Sequence, residues 1–429
     1  MTHSAAAATA TAAFSELSKK LTKSLSKEEK KNGGIFFTPP ACVVDIMSRL
    51  RVFELSFETI LEPSCGSGEF ISALVREYPR ANITGVEYNH DIYSEVSQHF
   101  SAVTNVQIHH SDFLTYTGGD RAPDLIIGNP PYYVMKKEDV APEYYPFFDG
   151  RPNIFILFLI KSAKMLREGG VLCFVLPSSF MNSQYYDKTR KYIVRNFTIL
   201  HIAKCDNGGG YLETQQETFV LMIQKRAPPT PTTTPTTSGG GVFEKSGATI
   251  FTFNLARLAE LYAGSRSLYE LGFKVSVGTV VWNQCKDILT NDGTKTRLIY
   301  SSNIEDGKFV HKTYKNTEKK AFIDKPGGGA PMIVLNRGYG VGEYKFDYCL
   351  ITPESVSSHE YLIENHLICI TLADAETETE TEAATPIAKF QRIIRSFQDS
   401  RTREFIACYC ANNAMNTTEL NHMLPIYDI

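Results

Sequence analysis

Short apolar runs and longer segments of helical spacing take turns along the first half of the chain. The runs at 59–62, 82–86, 106–110, 124–127 and 171–176 have the length of buried strands. Between them, Val43, Val44, Ile46, Met47 and Leu50 recur with helical spacing, as do Phe70, Ile71, Leu74 and Val75, and residues 153–166 form an apolar helix. A helix over 181–196 and strands over 199–203 and 218–223 follow. Strand and helix in alternation predict an α/β fold with a parallel sheet, of the Rossmann-like kind.

Outside this region the pattern weakens. Residues 1–30 are Ala/Thr-rich and then Lys/Ser/Glu-rich, and read as a mobile tail with some helix, because the apolar face over 15–31 is thin. Residues 31–226 make up the α/β domain. Residues 227–241, Ala-Pro-Pro-Thr-Pro-Thr-Thr-Thr-Pro-Thr-Thr-Ser-Gly-Gly-Gly, bury nothing and read as a linker. Residues 242–429 have short segments and many turns, which suits a mixed α+β domain. The Glu/Thr run at 376–382 reads as a solvated insertion.

Composition narrows the class only a little. At 429 residues, with 43% hydrophobic and 21% charged residues, the chain has room for two domains with real cores. The net charge of −3 counts mildly against nucleic-acid binding, unless positive charge is local. The nine cysteines are scattered without metal-ligand pairing and read as reduced thiols. No signal peptide begins the chain, and the apolar run at 154–160 is too short to span a bilayer, so a soluble intracellular protein is expected.

Candidate chemistry clusters at the strand ends. After the strand at 59–62 comes Pro63-Ser-Cys-Gly-Ser-Gly68, in which Gly66 and Gly68 let the backbone turn tightly and a ligand approach it. Glu87 ends the next strand, about twenty residues on, placed to accept both hydroxyls of a ribose. Dinucleotide enzymes share that arrangement, but here the third glycine is missing and Glu69 puts negative charge where a pyrophosphate would sit. S-adenosylmethionine, which carries no phosphate, fits better. Asp112 can accept from the adenine amino group of such a cofactor and Phe113 can pack on its ring, although Asp112 also reads as a turn residue.

The strand at 124–127 runs into Gly128-Asn-Pro-Pro-Tyr132, and Pro130 and Pro131 cannot continue a ladder. An amide, two prolines and an aromatic ring at a strand end suit a planar, weakly nucleophilic nitrogen. The side-chain carbonyl of Asn129 and the backbone carbonyl of Pro130 can accept the hydrogens of an exocyclic amine. This localises its lone pair and compensates the charge that builds on nitrogen. Tyr132 can stack on the base, with Tyr211 a candidate for its other face. Neither a general base nor a metal is required, since the proton leaves once the amine is cationic. The long loop 133–153, rich in aromatics and charge, reads as functional or mobile.

In the C-terminal half, residues 274–345 hold twelve Lys/Arg against seven Asp/Glu, interleaved with aromatics and amides. Trp282, Asn283, Arg337, Tyr339 and Lys345 in this stripe are candidates for DNA contact.

Taken together, Thr38-Pro-Pro, Glu62-Pro-Ser-Cys-Gly-Ser-Gly, Glu87, Asp112-Phe113, Gly128-Asn-Pro-Pro-Tyr132 and Val175-Leu-Pro177 occur in that order. This resembles the gamma class of DNA adenine-N6 methyltransferases of restriction–modification systems, the TaqI-like enzymes, over roughly residues 33–225. The resemblance implies an S-adenosylmethionine-dependent methyltransferase domain followed by a target-recognition domain. It implies that Thr38, Glu62, Glu87, Asp112 and Phe113 bind the cofactor, and that Asn129, Pro130 and Tyr132 hold a flipped adenine. It also implies double-stranded DNA as partner, a monomer, and a separate restriction endonuclease for any cutting. The alternatives are an RNA adenine-N6 methyltransferase, a protein glutamine-N5 methyltransferase, and a DNA-binding module on a dead methyltransferase fold.

Overall fold

A computed structural model of the protein describes residues 13–205, 217–226, 240–337, 346–373, 385–409 and 415–427. The chain divides into two compact units, Met1–Glu244 with Thr249–Leu255, and Lys245–Ala248 with Ala256–Ile429.

In the first unit the predicted runs become strands β1 (Thr59–Glu62), β2 (Asn82–Glu87), β3 (Val106–His110), β4 (Leu125–Gly128), β5 (Val171–Pro177), β6 (Phe197–Lys204) and β7 (Thr218–Lys225). They form one sheet in the order β3-β2-β1-β4-β5-β7-β6. All neighbours pair in parallel up to β5, and β7 alone runs antiparallel, between β5 and β6. The helices are α1 (Glu16–Ser24), α2 (Lys27–Gly33), α3 (Pro40–Val52), α4 (Glu69–Glu77), α5 (His90–His99), α6 (Ile154–Met165) and α7 (Asp187–Asn196). This is the Rossmann-like arrangement that alternating strands and helices predict.

Period-two burial sends the sheet's side chains into two cores. Ile60, Ile83, Leu125, Ile127 and Val175 pack with residues of α3, α4 and α5 on one face. Leu61, Val86, Ile126, Phe174 and Leu176 pack with α6 and α7 on the other. Burial on both faces explains why β4 and β5 are continuously apolar. Arg190 of α7 is fully buried. Its guanidinium donates to the carbonyls of Phe180 and Ser183, at 2.8 Å each, and of Thr249.

The expected mobile tail is, from Glu16 onward, a pair of docked helices. Ser15 caps α1, and Ser26 and Glu29 form a capping box on α2. The thin apolar stripe is nonetheless used: Leu21 and Leu25 bury against Ile92. Polar contacts do the rest. Glu69 Oε1 accepts from the Ser15 amide at 3.0 Å and the Ser15 hydroxyl at 2.8 Å, and from the Ser18 hydroxyl.

A second correction concerns the thiols. Cys42 on α3 and Cys205 just beyond β6, 163 residues apart, are joined in a disulfide. Nothing in the local sequence around either cysteine signals that the fold brings them together.

The loop at 133–153 is also folded. It turns through two short 3-10 segments, Lys137–Asp139 and Pro142–Phe147, and buries Tyr144 and Phe148 in the core beside α6.

The second unit has a mixed α+β construction. One antiparallel sheet runs in the spatial order Phe273–Val277, Leu367–Leu372, Met332–Asn336, Tyr348–Ile351. A second contains Thr296–Ile299 paired in parallel with Tyr361–Ile363. The helices Pro386–Gln398 and Ser400–Tyr409 belong to the same unit. The expected linker at 227–241 lies outside the described residues as far as 239. Among the described residues, no helix is long and apolar enough to cross a membrane.

Candidate active site

The carboxyl ends of β1, β2, β3 and β4 open on a cavity of about 390 Å³, lined by Gly66, Glu87, Asp112, Phe113 and Asn129 among others. That volume is in the range of a small-molecule site.

Its floor is the turn between β1 and α4. Gly66 and Gly68 both adopt positive φ, at 51° and 77°, which a side chain would oppose. Gly68 also has no room: a Cβ there would meet Phe100 at 2.5 Å. Glu87 ties the turn to β2. One carboxylate oxygen accepts the Gly66 amide at 2.9 Å and the other the Asn89 amide at 2.8 Å. Burial raises the Glu87 carboxyl above the usual carboxylate range, against the pull of those amides. Each oxygen keeps a lone-pair direction for a further donor.

Glu62 ends β1, 2% exposed. Burial, then the nearby charges of Glu87 and Glu69, push its carboxyl well above the usual range. Its Oε2 is buried and has no hydrogen-bond partner among the described residues.

On the adjoining wall, Asp112 accepts the Leu114 amide at 2.8 Å, so the turn role and the cavity position coexist. Phe113 is buried, 4.9 Å from Phe158 between ring centroids, with the Lys161 ammonium 5.3 Å from its ring.

The other wall is the Asn-Pro-Pro-Tyr segment. The ladder of β4 ends at Gly128, paired with Phe174, because the prolines that follow donate nothing. Asn129 is held at both ends of its amide. Its Nδ2 donates to the Phe36 carbonyl at 3.2 Å, and its Oδ1 lies 2.5 Å from the Tyr132 hydroxyl. That hydroxyl is also 2.8 Å from the Val175 carbonyl. The Tyr132 ring packs edge-on against Phe155 at 6.0 Å. Pro130 is buried. Gly34, with φ +60°, lies against this segment so closely that a Cβ would come within 2.8 Å of the Tyr132 amide nitrogen.

Residues 12–209 match the Eco57I restriction-modification methylase family. Over that stretch the chain is similar to Eco57I-type methylases. Along 422 residues it is 29% identical to the type II methyltransferase M.CvrRI of Paramecium bursaria Chlorella virus XZ-6E, covering 96% of this chain and 99% of that protein. It is 38% identical over 190 residues to the modification methylase CviBIII of Paramecium bursaria Chlorella virus NC1A, covering 42% of this chain and 47% of that one. The chain thus spans about half the length of the latter. Among solved structures, the DrdV–DNA complex matches with a TM-score of 0.50 at 13% identity, over 91% of this chain and 54% of that one. At that identity the likeness concerns the fold alone.

In the first unit, Gly66, Glu87, Asp112, Phe113 and Asn129 come together on one cavity. Thr38, Glu62, Gly68, Pro130 and Tyr132 are not among its lining residues. Thr38 is buried just ahead of α3, which starts at Pro40, while its neighbours Phe36 and Phe37 face the cavity. Sequence reasoning missed those two phenylalanines, together with Tyr88 and Tyr133, which also line it. The available signal was their position: Phe37, Tyr88 and Tyr133 each adjoin a residue already singled out, and Phe36 lies two residues from Thr38. Tyr211, Tyr339 and Lys345 lie outside the described residues. In the second unit, Trp282 is half-buried, with the ammonium groups of Lys319 and Lys286 at 5.0 and 5.9 Å from its ring, and Asn283 and Arg337 are exposed.

Proposed function

We propose that the protein transfers a methyl group from S-adenosylmethionine to N6 of an adenine turned out of duplex DNA. The observation that carries this reading is that Asn129, fixed through both ends of its amide, lines the same cavity as Glu87, Asp112 and Phe113.

The residues present fit the cofactor. Glu62, Glu69 and Glu87 lie close to one another beside the glycine turn, a setting hostile to phosphate. The Glu62 Oε2, buried without a hydrogen-bond partner among the described residues, is free to bond a ligand. Glu87 would hold the ribose hydroxyls, and Asp112 and Phe113 the adenine ring. Thr38 and the backbone at Gly66 and Gly68 would complete the binding set. When bound, S-adenosylmethionine supplies an electrophilic methyl group.

Asn129 and the Pro130 carbonyl accept the hydrogens of the substrate amine. Tyr132 stacks on the base. The proton leaves to solvent after transfer. The second unit serves as the target-recognition domain, with Trp282, Asn283 and Arg337 contacting double-stranded DNA. The methyl mark protects that DNA from a separate restriction endonuclease. The enzyme acts as a monomer, in the compartment that holds the DNA.

The test is to incubate the protein with radiolabelled S-adenosylmethionine and random-sequence duplex DNA, RNA or a glutamine-bearing peptide, and then to digest and separate the products. Label in N6-methyladenine from the duplex is expected. Label in N4-methylcytosine, in RNA or in the peptide alone would overturn the reading.

A further inference from the structure

Val134 is 62% exposed beside the catalytic motif, where an apolar side chain has no structural task. The backbone around it is nonetheless fixed. Val134 bridges antiparallel to Asn153, with the Met135 amide donating to the Pro152 carbonyl at 2.8 Å and the Ile154 amide to the Tyr133 carbonyl at 3.0 Å. Asn153 in turn caps α6, so the bridge is anchored in the core of the first unit.

In such an extended stretch, alternate side chains point to opposite sides. Tyr133 and Met135 line the cofactor cavity. Val134 therefore points away from it, into solvent, two residues from Tyr132, the ring assigned to the base. A β-branched side chain is also stiff at its first torsion, so it is presented in one direction. The neighbouring stretches of the bridge carry exposed cations, Lys136, Lys137 and Arg151, with Lys137 over the Tyr145 ring and the acids Glu138 and Asp139 on the turn that follows. Cations about an exposed apolar tip match the chemistry of a duplex that is gripped at its phosphates and opened between its bases.

We infer that Val134 is the apolar wedge that enters the duplex as the target adenine leaves it, filling space beside the vacated position and keeping the stack from reclosing. The inference rests on the adenine reading above. A wedge lowers the cost of extruding a paired base, and it has little left to do when that base has no pairing partner.

The experiment compares the full-length protein with Val134→Ala and Val134→Ile on duplexes of the sequence found methylated in the label-transfer assay. In one duplex the target adenine faces thymine; in the other it faces an abasic site. Single-turnover methylation, 2-aminopurine fluorescence at the target and S-adenosylmethionine affinity are measured. Val134→Ala is expected to slow methylation of the paired target roughly tenfold and to weaken the fluorescence gain. It should come within about twofold of wild type on the abasic duplex and leave cofactor affinity unchanged. Val134→Ile should retain activity on both. Equal slowing of Val134→Ala on the two duplexes would make Val134 merely structural, and no slowing on either would remove it from the reaction. A wild-type protein that labels no adenine overturns the adenine reading itself, and this inference with it.

Discussion

The Tyr132 hydroxyl lies 2.5 Å from the side-chain oxygen of Asn129, the atom assigned to accept the substrate amine. The two motif residues are thus bonded to each other, and the Asn129 oxygen keeps a second lone pair for a substrate amine. The Val175 carbonyl, 2.8 Å from the same hydroxyl, is a second acceptor for it.

This separates two changes at one position. Tyr132→Phe keeps the ring and frees Asn129 of a competing donor. Turnover should stay within a few-fold of wild type, with base affinity equal or higher. Tyr132→Ala removes the ring and should cost roughly ten- to hundredfold in base affinity, since stacking on an aromatic face contributes about 1–3 kcal/mol per base. Gel-shift titration with an extrahelical target and steady-state kinetics read both. Equal loss in the two variants would place the contribution in the hydroxyl.

Asn129→Ala should reduce turnover by roughly a hundred- to thousandfold, the scale for losing a group aimed at developing charge. S-adenosylmethionine affinity should change little, because the Asn129 amide bonds to Phe36 and Tyr132 rather than to the glycine turn. Isothermal calorimetry beside single-turnover rates checks the split.

Glu87→Ala leaves the Gly66 and Asn89 amides without their acceptor. The glycine turn should loosen and cofactor affinity fall roughly ten- to hundredfold, the range for hydrogen bonds to a charged group. An unchanged dissociation constant by calorimetry would remove Glu87 from the ribose role.

Glu62 gives a pH dependence whose sign is fixed. Its carboxyl titrates well above the usual range in the folded protein, chiefly through burial. The folded state therefore holds a proton that the unfolded chain releases once pH passes the ordinary carboxylate value. Stability from this group is fully present below that value and is lost as pH rises from it toward the folded value. Glu62→Gln keeps the shape without the charge and should flatten the fall. Urea midpoints measured from about pH 4 upward test this.

Removing Arg190 should be among the costliest changes in the first unit. Arg190→Ala strands the carbonyls of Phe180, Ser183 and Thr249 in a fully buried site. A loss of about 3–5 kcal/mol is expected, read as a lower urea midpoint.

Strands β4 and β5 were legible because each is a short apolar run stopped by glycine or proline and buried on both faces, whereas β3, with Gln107, His109 and His110 and no buried position, was legible only from its place in the alternation. Asn129 and Glu87 were legible because strand ends collect chemistry in such a fold. The docking of α1 was not. It depends on Ser15 and Ser18 meeting Glu69, more than fifty residues on, and no local period carries that information. For the same reason the Cys42–Cys205 bond was invisible. The loop after Tyr132 looked open because its order comes from one bridge, Val134 to Asn153, and from two aromatics dropped into the core. The second unit was legible only as composition, since its short strands pair across long separations.

The fit of Gly34 against the Tyr132 amide has a consequence for sequence variation. In a scan of every substitution, position 34 should rank with the catalytic positions in intolerance, though it carries no side chain to do chemistry. Alanine alone would press on the backbone of Tyr132 and shift the ring and the Asn129 amide together. A library meant to alter substrate choice can therefore vary the cavity's rim widely, provided this glycine is held constant.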